Sequence, residues 1–278
     1  MNFRAYPPGE KLTGIIKRHC IYEQEFSNDK PNVQPILPLV VPTLEFVYGD
    51  QFHTVQYSDG KRDKVPYHGI LGPITHRKIY LEMSGRIGVY CVEFHPAAFY
   101  SLFRLPMQEL ADISVEADVL LGKEIHDITG RIIEAVSDYE RIVIMEQYIS
   151  KRAGLNQAPV VKTKQAIKEM HRYAGLCSVH LLAKHLDISE RHLENVFKSQ
   201  IGVSPKLYNR ILRFNKVFAL MQNNPTHRPW QDIIQECGFY DQSHFIREFR
   251  YFTGTTPTSY FNKSLEFERF FLGSNASN

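Results

Sequence analysis

The sequence predicts an α+β protein of two domains. A β-rich N-terminal half, a cupin-like barrel or a sandwich, carries helices at its end, and an all-α C-terminal half follows. Three observations predict this. The apolar period changes from two to about 3.6 near Pro96. A stretch of linker chemistry occupies residues 153–159, Ala-Gly-Leu-Asn-Gln-Ala-Pro. Beyond it the chain repeats itself at an offset of 52 residues. A length of 278 residues fits two domains of ~100–150 residues each.

In the first half, residues 44–48, the pair Gly49-Asp50 and residues 51–55 have the form of a hairpin with a Gly-first turn. Residues 76–83, a turn at Ser84-Gly85 and residues 86–94 form a second candidate. There Ile79, Leu81, Met83, Val92 and Phe94 alternate as a half-buried sheet requires. Residues 97–103 read as a short helix. Residues 119–148 read as two amphipathic helices broken near Ser137-Asp138, with the stripe Ile125, Ile128, Ile132, Ile133, Ile142, Met145 and Ile149. That stripe serves equally for packing on the β-domain or for a dimer seam. The resulting division is a regulatory or sensor domain at 1–152, the linker at 153–159, a helical domain at 160–264 and an apolar tail at 265–278 with Phe267, Phe270, Phe271 and Leu272.

The repeat sets residues 189–198 against 241–250, Gly202-Val203-Ser204-Pro205 against Gly254-Thr255-Thr256-Pro257, and Tyr208 against Tyr260. In the first copy a short helix with Leu181, Leu182 and Leu186 leads through Asp187-Ile188 to Ser189, a natural N-cap. The next helix turns Leu193, Val196 and Phe197 inward, and Arg191, Glu194, Asn195 and Lys198 outward. In the second copy Gly238 ends one helix and Asp241 caps the next, with Phe245, Phe249 and Phe252 at its back. Each copy is a helix-turn-helix. Between them Ser204 and Pro205 open a helix with its apolar stripe at Leu207, Ile211, Phe214, Phe218 and Met221. Another of its faces carries Lys206, Asn209, Arg210, Arg213 and Lys216. A rod of about 18 residues is ~27 Å long, close to the ~34 Å between successive major-groove faces of DNA.

Charge agrees. Residues 160–264 hold 15 Lys/Arg against 8 Asp/Glu, a surplus of seven, while the net charge of the chain is only +3. A basic helical domain on an acidic body points to nucleic acid. With 43% hydrophobic and 23% charged residues the composition is that of a globular protein. No apolar run reaches the ~18 residues of a membrane span, and no secretory leader is visible. Cys20, Cys91, Cys177 and Cys237 stand far apart, which excludes a zinc knuckle and fits a reducing compartment.

Glu236-Cys237-Gly238-Phe239-Tyr240-Asp241-Gln242-Ser243-His244-Phe245-Ile246-Arg247-Glu248-Phe249-Arg250, then Gly254-Thr255-Thr256-Pro257 and Tyr260, resemble the DNA-binding domain of the AraC/XylS family of bacterial transcription regulators. The resemblance covers 160–262 and extends more loosely to a regulatory domain, around Phe94-His95-Pro96-Ala97-Ala98, Leu105-Pro106 and Glu109-Leu110-Ala111-Asp112. It implies a seven-helix domain with two helix-turn-helix units, a double-stranded DNA operator, an RNA polymerase contact, activation of transcription and a cytoplasmic location. It also implies an N-terminal domain that senses a small-molecule effector or forms a homodimer, with no cofactor. Base contacts fall, by the resemblance, on Arg191, Glu194, Asn195, Gln242, Ser243, His244, Ile246 and Arg247. The chemistry fits, because Arg pairs with guanine, Asn and Gln with adenine, Glu with cytosine, and Ile packs on a thymine methyl. Lys198, Arg210, Arg213 and Arg250 are read as phosphate contacts.

Other constellations are weaker. His53, His68, His76 and His95 could converge on a metal only if the strands brought them together, since no pair has ligand spacing. Tyr57, Tyr67, Tyr80 and Tyr90 could line a pocket or serve as ordinary sheet aromatics. No phosphate loop, nucleophile elbow or metalloprotease motif occurs. An enzyme with an appended DNA-targeting module is the alternative, and it requires an acid/base pair converging in a deep N-terminal pocket.

Overall fold

The computed structural model describes residues 2–56, 60–75, 79–155, 157–223 and 229–261. Tyr57, His76 and the apolar tail lie outside the described residues. The N-terminal strands are β1 (Asn2–Tyr6), β2 (Ile16–Phe26), β3 (Asn32–Ile36), β4 (Thr43–Val47), β5 (His53–Gln56), β6 (Arg62–Lys64), β7 (His68–Leu71), β8 (Ile79–Met83), β9 (Gly85–Phe94) and β10 (Ser114–Glu116). They form two antiparallel sheets, one in the order β1-β2-β9-β4-β7-β10 and one in the order β3-β8-β5-β6.

Neither expected hairpin forms. β4 pairs with β7 and β9, whereas β5 pairs with β6 and β8 in the other sheet. Likewise β8 and β9 adjoin in sequence but lie in different sheets. The two turns pack on each other instead. The Asp50 carboxylate accepts the Arg86 N–H at 2.7 Å, and the Asp50 N–H donates to the Arg86 carbonyl at 2.7 Å. A Cβ on Gly49 would stand 2.3 Å from that same carbonyl. Gly-Asp and Ser-Gly therefore mark corners where the chain changes sheet. Alternation along a strand cannot reveal this, because it shows which residues face inward and not which strand lies alongside.

The larger sheet is buried on both faces, which is why β4 reads as an almost unbroken apolar run. One face, with Ile21, Leu44, Phe46, Tyr90, Val92 and Phe94, packs on helices α3 (Glu124–Glu134) and α4 (Asp138–Ala153). Ile125, Ile128, Ile132, Met145 and Ile149 are buried there, so the predicted stripe packs on its own domain. Ile133 stays partly exposed. Ser137 separates the two helices and accepts the Glu140 N–H at 3.2 Å. The shorter helices α1 (Ala98–Phe103) and α2 (Ala117–Leu121) precede them. The other face of the sheet, with Tyr22, Val47, Ile87 and Val89, looks across a cavity toward Met83 and Phe52.

The C-terminal half contains α5 (Val161–Arg172), α6 (Val179–His185), α7 (Glu190–Ile201), α8 (Pro205–Asn223), α9 (Trp230–Glu236), α10 (Gln242–Thr253) and α11 (Pro257–Phe261). These are the seven helices that the resemblance implies. Phe197, Phe214, Phe218, Phe245 and Phe249 are fully buried around α8. The two halves touch: Leu37, Val40 and Ala97 belong to the same apolar cluster as the α6–α8 residues. Ala158 exchanges hydrogen bonds with Ser101, N–H to carbonyl at 2.9 Å and Ser101 hydroxyl to carbonyl at 2.8 Å.

Two glycines give a contrasting pair of outcomes. Gly175 has φ +78°, and a Cβ there would lie 2.3 Å from the Asn209 carbonyl of α8. Gly175→Ala is expected to cost at least about 1–2 kcal/mol in denaturant unfolding, from left-handed strain alone. Gly130 sits within α3 with open space around its Cβ position. Gly130→Ala is expected to stabilise by roughly 0.8–1 kcal/mol.

Candidate nucleic-acid interface and ligand cavity

The two recognition helices are built alike. Ser189 caps α7 by accepting the His192 N–H at 3.1 Å, and Asp241 caps α10 by accepting the His244 N–H at 2.7 Å. Both helices end at a left-handed glycine, Gly202 (φ 88°) and Gly254 (φ 79°). The turns before them differ. The left-handed residue is Asp187 in the first unit, two before the cap, and Gly238 in the second, three before it.

Arg191, Glu194, Asn195 and Lys198 are exposed on α7, as are Gln242, Ser243, Arg247 and Arg250 on α10. Glu194 and Lys198 pair one turn apart at 3.0 Å. His244 and Ile246 are half-buried. The His244 ring packs edge-on against Phe239, and its Nδ1 accepts the Tyr240 N–H at 3.3 Å, which fixes the ring at the mouth of the turn.

The polar face of α8 behaves differently from expectation. Arg210, read from sequence as a phosphate contact, makes a bidentate pair with Glu248 of α10 at 2.8 and 3.0 Å, and its guanidinium lies 4.3 Å from the Tyr251 ring centre. Arg213, read likewise, is half-buried near the Phe239 ring, and burial lowers its pKa. The Arg213 Nη1 reaches toward the Gly175 carbonyl at 3.5 Å. Asn209 donates to the Cys177 carbonyl at 2.9 Å, and Lys216 to the Glu236 carbonyl at 2.9 Å. Only Lys206 of the predicted stripe is exposed. The stripe is a joint between the two helix-turn-helix units, because α8 is covered by both. Periodicity assigned these residues to one face, and tertiary packing then covered that face.

In the N-terminal domain a cavity of about 70 Å³, open on one side, lies between the sheets. Its walls are mainly apolar, including Tyr22, Ile36, Leu39, Phe52, Leu81 and Val89. Glu93 is spent on a bidentate pair with Arg18, at 2.8 and 2.5 Å. Cys20 and Cys91, directly opposite on β2 and β9, hold their protons because burial pushes both thiols up. Glu45, opposite Cys91 on β4, is the exception. Among the described residues no donor is hydrogen-bonded to its carboxyl. Burial pushes its pKa up to about 7.

Of the tyrosines read as pocket candidates, Tyr90 is buried on the helix-facing side of the sheet with its hydroxyl 2.8 Å from His19 Nδ1, and Tyr67 is exposed. Tyr22 and Phe52 supply the aromatic wall instead. The histidines do not converge as a group. His95 Nε2 lies 3.0 Å from the Thr13 carbonyl, and His53 sits on β5. His68 instead meets two residues missed in the sequence, Asp118 of α2 and His126 of α3. The His126 Nε2 is 2.9 Å and the His68 Nε2 3.6 Å from the Asp118 carboxylate, a cluster compact enough to hold a divalent ion.

A helix-turn-helix domain family matches residues 182–263. A family described as a domain of unknown function (DUF6597) matches residues 4–116. The arabinose operon regulatory protein of Escherichia coli is 25% identical over 150 residues, 48% of this chain and 50% of that protein. The C-terminal domain is thus similar to that of AraC-type transcription regulators. The HTH-type transcriptional regulator ArgR of Pseudomonas aeruginosa is 33% identical over 76 residues, 27% of this chain and 22% of that protein. The chain thus spans half or less of the length of these curated relatives. Among solved structures, ToxT from Vibrio cholerae is similar at TM-score 0.49 and 12% identity, over 94% of this chain and 98% of that one. One ToxT structure is described as bound to an unsaturated fatty acid. No described helix is long and apolar enough to cross a membrane.

Glu45 sets a pH dependence. Its folded pKa of about 7 stands above the ordinary 4.5. Between those values the folded state keeps a proton that the unfolded chain has released, so stability falls as pH rises. Above both values the full penalty, about 3 kcal/mol, is present. Unfolding of Glu45→Gln across pH 4.5–8 is therefore expected to show a growing advantage over the unsubstituted protein, levelling off above pH 7. An advantage independent of pH would mean that the carboxyl titrates normally.

Proposed function

We propose that this protein is a sequence-specific, cytoplasmic transcription regulator that reads two consecutive major grooves with α7 and α10, under the control of an N-terminal domain that binds a small effector. The observation that carries the reading is the pairing of two identically capped recognition helices with outward Arg, Asn and Gln side chains on one rod. At 19 residues, α8 is about 28 Å long, which suits two reading heads one helical turn of DNA apart. Base contacts fall to Arg191, Glu194, Asn195, Gln242, Ser243, His244, Ile246 and Arg247, and phosphate contacts to Lys198 and Arg250. Arg210 and Arg213 are left out of that set, since their guanidinium groups are engaged within the domain.

Partners on this reading are an operator duplex, RNA polymerase, an effector in the cavity and a second copy of the chain. The mainly apolar cavity supports the regulator over the enzyme. One of its two carboxylates is locked to Arg18, which leaves no converging acid/base pair. Selection of binding sites from random duplexes with the full chain tests the proposal. Enrichment of a bipartite site of about 20 base pairs is expected. Failure to enrich any sequence would end it.

Arg191→Ala and Arg247→Ala are each expected to cost roughly 1–3 kcal/mol on the selected site and little on unrelated DNA. Equal losses on both duplexes would assign those residues to the backbone. Lys198→Ala should weaken binding to every sequence and reduce the salt slope by about one. Arg210→Ala, by contrast, should lower the melting temperature and leave the salt slope unchanged.

A further inference from the structure

The cavity has one carboxyl without a described partner, and its chemistry restricts what can enter. Thr43 donates its hydroxyl to the Val41 carbonyl, and Glu93 is satisfied by Arg18. The two thiols are protonated and weakly polar. Glu45 alone is a strong acceptor with no described partner. It is placed by β4 between Gly69 and Cys91, neither of which has a side chain able to neutralise it. Once Glu45 is ionised, above pH 7, an anion entering this space would meet a second negative charge in a low dielectric, with no cation among the described lining residues to offset it. An ammonium group would meet an acceptor, with the aromatic rings of Tyr22 and Phe52 in the same wall.

We propose that the cavity takes a small apolar amine, with its ammonium group on the Glu45 carboxylate and its apolar body between the sheets, and that it rejects carboxylates. This rests on the reading of the N-terminal domain as an effector sensor. The structure also supplies a route from the ligand to the DNA-binding half. Ile36 and Leu39 line the cavity, whereas their neighbours Leu37 and Val40 belong to the apolar cluster of the helix-turn-helix domain. The segment holding them is pinned at Leu39, which exchanges two 2.9 Å backbone hydrogen bonds with Ile74. A body that fills the cavity therefore presses on one side of a wall whose other side belongs to the apolar core of the helical half.

The test uses the full chain and three matched probes: 2-phenylethylamine, 2-phenylethanol and phenylacetate. Calorimetry and thermal shift at pH 8, where Glu45 is ionised, should show the amine binding at least tenfold more tightly than the alcohol, and no binding of phenylacetate. At pH 6.5, where Glu45 is mostly protonated, amine binding should release protons, read as a dependence of the measured heat on the ionisation enthalpy of the buffer, because Glu45 must ionise to receive the cation. Glu45→Gln should weaken the amine at least tenfold and abolish the proton release while leaving the alcohol unaffected. Phenylacetate binding as well as the amine, an undiminished amine affinity in Glu45→Gln, or no binding by any of the three would each overturn the proposal. Fluorescence anisotropy on the selected duplex separates the two readings. Glu45-dependent amine binding with unchanged DNA affinity would leave the ligand chemistry standing and remove the effector reading.

Discussion

The geometry of the C-terminal domain depends on α8 having no free side. Its apolar stripe supplies the aromatic core with Phe214 and Phe218. Its polar face supplies Arg210 to Glu248, Lys216 to the Glu236 carbonyl and Asn209 to the Cys177 carbonyl. Bonds of this kind are directional, and a buried polar group that loses its partner is costly. They fix how α10, the end of α9 and the segment before α6 seat on the rod, something an apolar contact alone would leave looser.

The N-terminal domain shows the opposite balance. It keeps a carboxyl at the wall of an apolar cavity without a described partner, which lowers stability at neutral pH. Such an arrangement makes physical sense where a ligand completes it, since a site that is strained when empty gains most on filling. The thin wall at residues 36–40 separates that cavity from the apolar core of the helical half. Gly202, which ends α7, has no room for a side chain, because a Cβ there would lie 2.6 Å from the Met107 carbonyl of the N-terminal half. The end of α7 is thus seated directly on the N-terminal domain.

Much of the DNA-binding half was legible in the chain. Caps, apolar backs and left-handed glycines are local devices, and Ser189, Asp241, Gly202 and Gly254 act as their residue types dictate. The β-domain was legible only in its inward-facing residues. Gly49-Asp50 and Ser84-Gly85 look like hairpin turns and are corners, because pairing between strands is a long-range choice. Glu45 carried no signal at all: one acidic residue in an apolar run is informative only once its neighbours across the sheet are known. His126 and Asp118 were invisible as partners of His68 for the same reason.

The sequence by itself determined the class of each half, the duplication, the capped helices and the residue types offered to DNA, since all of these follow from periodicity and local hydrogen bonding. Tertiary structure alone decided which charges stay at the surface. Arg210 and Lys198 are both basic residues on helices, yet one is clamped by Glu248 and the other exposed on α7. The reason is that burial and partnership come from elements distant in the chain, and no local pattern encodes which helix will cover a given face.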